Sequence, residues 1–222
     1  DSLTALHNRR SFHDRLQQVQ AANARSAMWA ALCFIDLDNF KVVNDAYGHV
    51  LGDAVLCEAA QRLQAAVRVE DTIGRIGGDE FVVMLSGIEH SSSVAMVAEK
   101  LVMRVGEPYP VGAHTLYTTP SIGIAIYPMD GEDGETLMRN ADAAMYHAKS
   151  AGRNNFQFFD AKMNEAAVER LGIEHALRLA LGRDESVEVF DEAQLPFNYL
   201  REIPAKHEPD KALIKKAIKD GF

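Results

Sequence analysis

Two acidic residues stand side by side behind a pair of glycines in Arg75-Ile76-Gly77-Gly78-Asp79-Glu80-Phe81-Val82-Val83-Met84-Leu85. Adjacent carboxylates can hold a divalent cation or accept a proton, and glycine, lacking a Cβ, lets a large ligand lie against the backbone beside them. That spacing points to metal-assisted work on phosphates. An isolated Gly-Gly-Asp-Glu is equally compatible with an acidic surface turn, so the rest of the chain must decide. A further carboxylate, Asp36, ends the apolar run Ala30-Ala31-Leu32-Cys33-Phe34-Ile35, and Asp38 follows it closely. A continuous apolar run reads as a strand buried on both faces, and open α/β sheets bind ligands at the carboxyl ends of such strands. Asp38, more readily than Asp36, reads as a cap for the helix that follows.

Asp36, Asp79 and Glu80 together offer hard oxygen ligands without a His or Cys cluster, which favours Mg²⁺ or Mn²⁺ over zinc. The eight histidines show no ligand spacing. Neither a phosphate-binding Gly-x-x-x-x-Gly-Lys-Ser/Thr loop nor a Gly-x-Ser-x-Gly elbow is present, which removes common ATPase and serine hydrolase mechanisms. A carboxylate-held metal pair beside a glycine turn is the apparatus of nucleotidyl transfer. The formal net charge of −9 argues against nucleic acid as the main partner, because phosphate backbones are bound through excess Lys and Arg. An anionic substrate therefore needs local cations or metal. Lys149 and Arg153, four apart where a helix ends, could face one way, although such residues commonly do no more than complement a helix C-terminus.

The elements that must position these groups follow from periodicity. Phe12, Leu16 and Val19 predict a first helix, and residues 30–35 a buried strand. A second helix is expected from Gly52-Asp53 to about Arg68, with Val55, Leu56, Ala59, Ala60, Leu63 and Val67 inward. The two apolar flanks around Gly77-Gly78 predict a β-hairpin turning on that pair. Ser91-Ser92-Ser93 reads as the cap of a third helix. Thr119 to Pro128 alternates as a strand with its isoleucines on one face. Leu137, Met138, Ala141, Ala144, Met145 and Ala148 form the stripe of a last helix closed by Gly152, and Asn155 to Phe159 read as a short final strand. The order mixes βα units with a hairpin and describes a sheet covered by helices. Cys33 and Cys57 fall in apolar patterns and read as buried thiols, as in a reducing cytoplasm. No stretch approaches the length of a membrane span.

The whole set of motifs resembles the GGDEF-domain diguanylate cyclases. The resemblance is carried by Gly77-Gly78-Asp79-Glu80-Phe81, by the entry segment Asp1-Ser2-Leu3-Thr4-Ala5-Leu6-His7-Asn8-Arg9-Arg10, with Ala5 where a glycine is usual, and by Phe34 to Asp45 with Gly48-His49 and Gly52-Asp53. The closing helix Ala141 to Asn154 completes it. It implies an α/β (α+β) fold with a mainly antiparallel central sheet flanked by helices, like the palm of nucleotidyl cyclases. It also implies condensation of two GTP into cyclic di-GMP with release of pyrophosphate, in a homodimer that faces two substrates together. Carried over by position, Asp36, the Leu37 carbonyl, Asp79 and Glu80 hold two Mg²⁺ or Mn²⁺ ions per active site, with Glu80 as a further ligand or as the base. Asn44 and Asp53 bind guanine, and a carboxylate at Asp53 suits the guanine N–H donors better than adenine. Lys41, Lys149, Arg153 and the amides of Asn39 and Phe40 meet phosphates, beside Gly77 and Gly78. Arg68 and Asp71, in an Arg-x-x-Asp quartet upstream of Gly77, have the placement of the family's inhibitory product site, whereas an isolated quartet is most often a weak local ion pair.

The expected organisation is a cyclase domain over residues 1–160, a linker-like helix over 161–182 and an extension of unknown role over 183–222, with no membrane segment in this fragment. The entry segment reads as a domain start within a longer cytoplasmic chain, any membrane attachment lying before Asp1. Residues from Asp160 to about Leu181 look like the linker that precedes a phosphodiesterase domain, yet no Glu-Ala-Leu motif follows. The competing class is a catalytically silent receptor for cyclic di-GMP. An undamaged signature favours the enzyme.

Overall fold

The apolar run before Asp36 becomes the middle of a sheet. In the computed structural model, which describes residues 1–26, 29–88, 90–161, 200–203 and 206–209, it is strand β1 (Trp29–Leu37), buried at every position after Trp29. A strand without a polar face needs cover on both sides. Strands β3 (Glu80–Ile88) and β6 (Pro120–Tyr127) pair with it antiparallel. Outside them lie β2 (Thr72–Gly77), antiparallel to β3, and β7 (Asn155–Phe158), parallel to β6, giving the order β2-β3-β1-β6-β7. This is the mainly antiparallel sheet flanked by helices that the sequence implies.

Alternation along β1 divides the core into two layers. Ala31, Cys33, Ile35 and Leu37 pack with Leu56 and Leu63 of α3 (His49–Ala66) and Leu101 of α4 (Ser91–Val105). Ala30, Leu32 and Phe34 pack with Phe12 and Leu16 of α1 (Arg9–Ser26) and with Leu137, Ala141 and Met145 of α5 (Gly134–Ser150). Asp36 continues the second series. Its carboxylate therefore sits where the α1/α5 layer runs out.

Helix α5 reaches that edge because of one residue. A Cβ on Gly123 of β6 would overlap the Ala141 carbonyl and the Met145 amide, so only glycine lets α5 lie this close to the sheet. The helix starts at Asp133, whose carboxylate accepts from the Thr136 N–H at 2.8 Å. It closes just before Gly152, at φ 112°, as its sequence predicts.

Several local expectations are corrected. The hairpin turns on Gly78-Asp79, not Gly77-Gly78: Gly77 still pairs with Glu80, and Gly78 carries the positive φ of 47°. β1 runs on to Leu37 and so contains Asp36 instead of stopping before it. Residues Phe40–Tyr47 form a helix, α2, that periodicity did not predict, and α3 starts at His49, ahead of Gly52. Gly48 separates the two helices at φ 82°, a conformation that breaks one helix and lets the next begin. The serine run does not cap α4, whose N-cap is His90 with no side-chain bond. A small hairpin of β4 (Tyr109–Val111) and β5 (His114–Leu116) was also not foreseen.

The chain divides into two compact units, Asp1–Met163 and Asn164–Phe222. In the second, β8 (Leu200–Ile203) pairs antiparallel with β9 (Lys206–Pro209). The linker-like helix expected over 161–182 lies almost wholly outside the described residues, and so does most of the extension over 183–222. Among the described residues, no helix is long and apolar enough to cross a membrane.

Candidate active site

Antiparallel pairing sets Asp36 opposite Glu80. Directly opposed residues share a face, so the two carboxylates stand together at the end of the α1/α5 layer. Asp79 joins them through the hairpin turn, its carbonyl accepting from the Leu37 N–H at 3.3 Å. In an antiparallel ladder a residue's N–H and C=O point to the same neighbour; the Leu37 carbonyl thus faces the hairpin tip too. Lys149, from the last turn of α5, places its Nζ 2.9 Å from Asp36 Oδ1.

The tip itself is held from behind. Arg75 Nε and Nη2 donate to the Gly78 carbonyl at 2.9 and 2.7 Å, and Nη1 donates to Asp1 Oδ1 at 3.1 Å. Asp1 Oδ1 also accepts from the Thr4 N–H and hydroxyl, each at 2.9 Å. The entry segment is therefore a brace for the Gly-Gly turn. On the open side, a Cβ at Gly77 or Gly78 would meet nothing within 4 Å, which leaves room for a ligand along that backbone.

Asp36 is buried, and burial pushes its carboxyl up to about 6; Asp79 and Asp38 add to the rise and Lys149 opposes it. Burial likewise raises Glu80, with Asp142 and Asp79 adding to the effect and Arg9 and Lys149 opposing it. Removal from water, with the neighbouring carboxylates adding to it, thus outweighs what the nearby cations relieve. Among the described residues, no three of His, Cys, Asp or Glu are grouped to hold a metal ion unaided. A hard cation that keeps most of its ligands as phosphate oxygens and water needs only one or two carboxylates. Asp36, Asp79 and the Leu37 carbonyl fit that requirement.

The profile of the family described as "Diguanylate cyclase, GGDEF domain" matches residues 1–155. The chain belongs to the GGDEF domain family.

MucR of Pseudomonas aeruginosa, a bifunctional diguanylate cyclase/cyclic di-GMP phosphodiesterase, is 50% identical over 187 residues, covering 84% of this chain and 27% of MucR. The chain thus spans about a quarter of that relative's length. Among solved structures, the GGDEF domain of TpbB from the same species superposes with a TM-score of 0.73 at 33% identity, over 75% of this chain and 98% of that one. The GGDEF domain of DgcB from Caulobacter crescentus, solved in complex with c-di-GMP, gives 0.67 at 31% identity, over 71% and 94%.

The remaining predicted residues of the GGDEF domain fall into two further places. Around the start of α2, Asn39 is exposed in a left-handed conformation (φ 56°), Phe40 is buried, Lys41 is exposed, and Asn44 is half-buried one turn on. Asp53 is exposed on the first turns of α3. Arg68 and Asp71 sit at the far end of β2 from the hairpin tip, about 20 Å away for a strand of that length. Their side chains do not pair. Asp71 accepts from the Arg68 N–H (2.9 Å) and the Ser86 N–H (3.2 Å), while the Arg68 guanidinium is 71% exposed and 3.9 Å from Glu70.

Sequence reasoning also missed contributors. Asp38 is not a helix cap: Asn39 occupies that position, and the Asp38 carboxylate accepts from the Thr119 and Ser121 hydroxyls (2.6 and 2.7 Å) and the Asn154 N–H (3.2 Å). Arg153, just beyond α5, has its Nε 4.0 Å from Asp38, so both cations at the exit of α5 already face carboxylates and are not merely solvated. Arg75 was visible inside the motif but not its role, because its partner Asp1 is remote in sequence. Arg9 and Asp142, the charges beside Glu80, carried no local signal.

Proposed function

We propose that this GGDEF domain is a diguanylate cyclase, which joins two GTP molecules into cyclic di-GMP and releases two pyrophosphates across a homodimer. The observation that carries the proposal is the pairing of Asp36 with Glu80 at the rim of the open Gly77-Gly78 turn. Asn44 and Asp53 bind the guanine edge. Lys41, Lys149, Arg153 and the amides of Asn39 and Phe40 take the triphosphate, and the bare backbone of Gly77 and Gly78 lets it approach. Asp36, Asp79, the Leu37 carbonyl and Glu80 would hold two Mg²⁺ or Mn²⁺ ions, which supply charge neutralisation and activation of the attacking hydroxyl.

Where Glu80 serves as the base instead of as a further ligand, it receives the proton of the 3′-hydroxyl, and its raised proton affinity suits that role. The 3′-oxygen bonds the α-phosphorus of the facing nucleotide, the bond from that phosphorus to its bridging oxygen breaks, and pyrophosphate leaves. Each subunit contributes one such step. Arg68 and Asp71 bind the product and slow the enzyme; the exposed guanidinium is a planar fork suited to guanine and phosphate.

The test is incubation of concentrated protein with GTP and Mg²⁺, followed by nucleotide separation. Wild type yields cyclic di-GMP, Glu80→Gln yields none, and Arg68→Ala accumulates more product. Absence of product even in a forced dimer, with cyclic di-GMP still bound, assigns the receptor function instead.

A further inference from the structure

We propose that Gly52 is a positioning residue for nucleotide-base recognition: it provides the notch in α3 that holds the Asn44 amide beside Asp53. This rests on the assignment of Asn44 as a guanine contact. A Cβ on Gly52 would overlap Asn44 Oδ1, and would lie 3.1 Å from Asn44 Cγ and 3.3 Å from Phe40 Cζ. The Asn44 side chain therefore occupies the space that any larger residue at 52 would need. Gly52 is buried and its backbone is already committed, its N–H donating to the Gly48 carbonyl at 3.2 Å.

Asn44 belongs to the last turn of α2, while Asp53 follows Gly52 directly on α3. An asparagine amide can make four hydrogen bonds. Among the described residues the Asn44 side chain makes none, and neither does the Asp53 carboxylate. Asn44 Oδ1 fills the space that the missing Cβ leaves, so the side chain is packed against α3 before a ligand arrives. Pre-ordering of this kind strengthens binding by removing the entropy cost of fixing the side chain later. A base edge then meets hydrogen-bonding groups from two helices whose contact is made at Gly52 itself.

The experiment is a double-mutant cycle of Gly52→Ala and Asn44→Ala, read by calorimetric titration with GDP and with ADP in the presence of Mg²⁺, alongside thermal unfolding. Residues that act through one another are non-additive in such a cycle. Each single variant should weaken GDP about tenfold without moving ADP, and the double variant should match Asn44→Ala alone. If Gly52→Ala leaves GDP affinity intact while Asn44→Ala lowers it, the positioning role is wrong and the guanine assignment stands. If Asn44→Ala has no effect, both fall. Should Gly52→Ala fail to fold, a double variant that folds and matches Asn44→Ala supports the notch, and one that also fails to fold overturns it.

Discussion

Asp36 and Asp38 leave the same end of β1 on the same side of the sheet, and the chain treats them in opposite ways. Asp38, with its side chain 2% exposed, accepts from two hydroxyls and a backbone amide, with Arg153 Nε 4.0 Å away. Its own N–H and C=O are bonded as well, to the Thr119 carbonyl (2.7 Å) and the Thr118 hydroxyl (2.8 Å). It ties β1, β6 and the segment between α5 and β7 into one block. Asp36 is nearly as buried but, among the described residues, its carboxylate meets a single ammonium, and burial disfavours its charged form. The carboxylate that holds the fold is saturated by its neighbours. The one assigned to a cation under the proposed function is left short of partners, and the fold is less stable for it.

This contrast predicts opposite signs for two substitutions. The larger effect belongs to Asp38→Ala, which strands the Thr119 and Ser121 hydroxyls and the Asn154 amide without their acceptor. The loss should be about 3–5 kcal/mol in urea unfolding; a loss below about 1 kcal/mol would mean the three bonds are replaceable by water. Asp36→Asn should do the reverse. The folded carboxyl titrates near 6 against about 4 when unfolded, so folding favours the neutral form. That contribution is fully present below pH about 4 and is lost as pH rises through about 6. In metal-free buffer at pH 7.5 the Asn variant should therefore be more stable by about 2–3 kcal/mol, the full distance from about 4 to about 6, in which the attraction of Lys149 is already counted. The gap should close as the pH is lowered toward 4. A variant less stable than wild type at pH 7.5 would show that the Lys149 pair outweighs the burial of Asp36.

The same contrast explains what the sequence could and could not convey. Asp36, Asp79 and Glu80 were legible because they terminate apolar runs or follow glycines, signals contained within a few residues. The sheet was legible because β1, β3 and β6 are continuous or alternating apolar segments. Asp38 was misassigned because a carboxylate before a helix usually caps it, whereas its partners at Thr119, Ser121 and Asn154 are joined only by the folded sheet. Helix α2 was missed because its eight residues are too few to establish a period. Its boundary with α3 depends on a single positive φ at Gly48. The brace from Arg75 to Asp1 escaped for the reason that hid Asp38: long-range polar contacts leave no periodicity behind.

The smallest expected effect concerns the ammonium that Asp36 does have. Lys149 Nζ, 2.9 Å from Asp36 Oδ1, occupies one of the oxygens that a metal ion would use, yet the same side chain is assigned to the triphosphate. It cannot serve both at once. Under the proposed function it would compete with the cation for Asp36 before nucleotide arrives, and a phosphate would draw it away once nucleotide is bound. Lys149→Met keeps the stem and removes the charge, so the two equilibria should move apart. Removing one partly screened charge is worth about 1 kcal/mol, or roughly fivefold in affinity. Mn²⁺ binding without nucleotide, followed by electron paramagnetic resonance, should tighten by that factor, while GDP affinity in EDTA should weaken by a similar one. If Mn²⁺ binding is unchanged or weakened in the variant, the ammonium is a bystander at Asp36 and only its phosphate role survives. If Mn²⁺ tightens but GDP does not weaken, Lys149 guards the carboxylate without reaching the nucleotide, and Arg153 and Lys41 must carry the triphosphate between them.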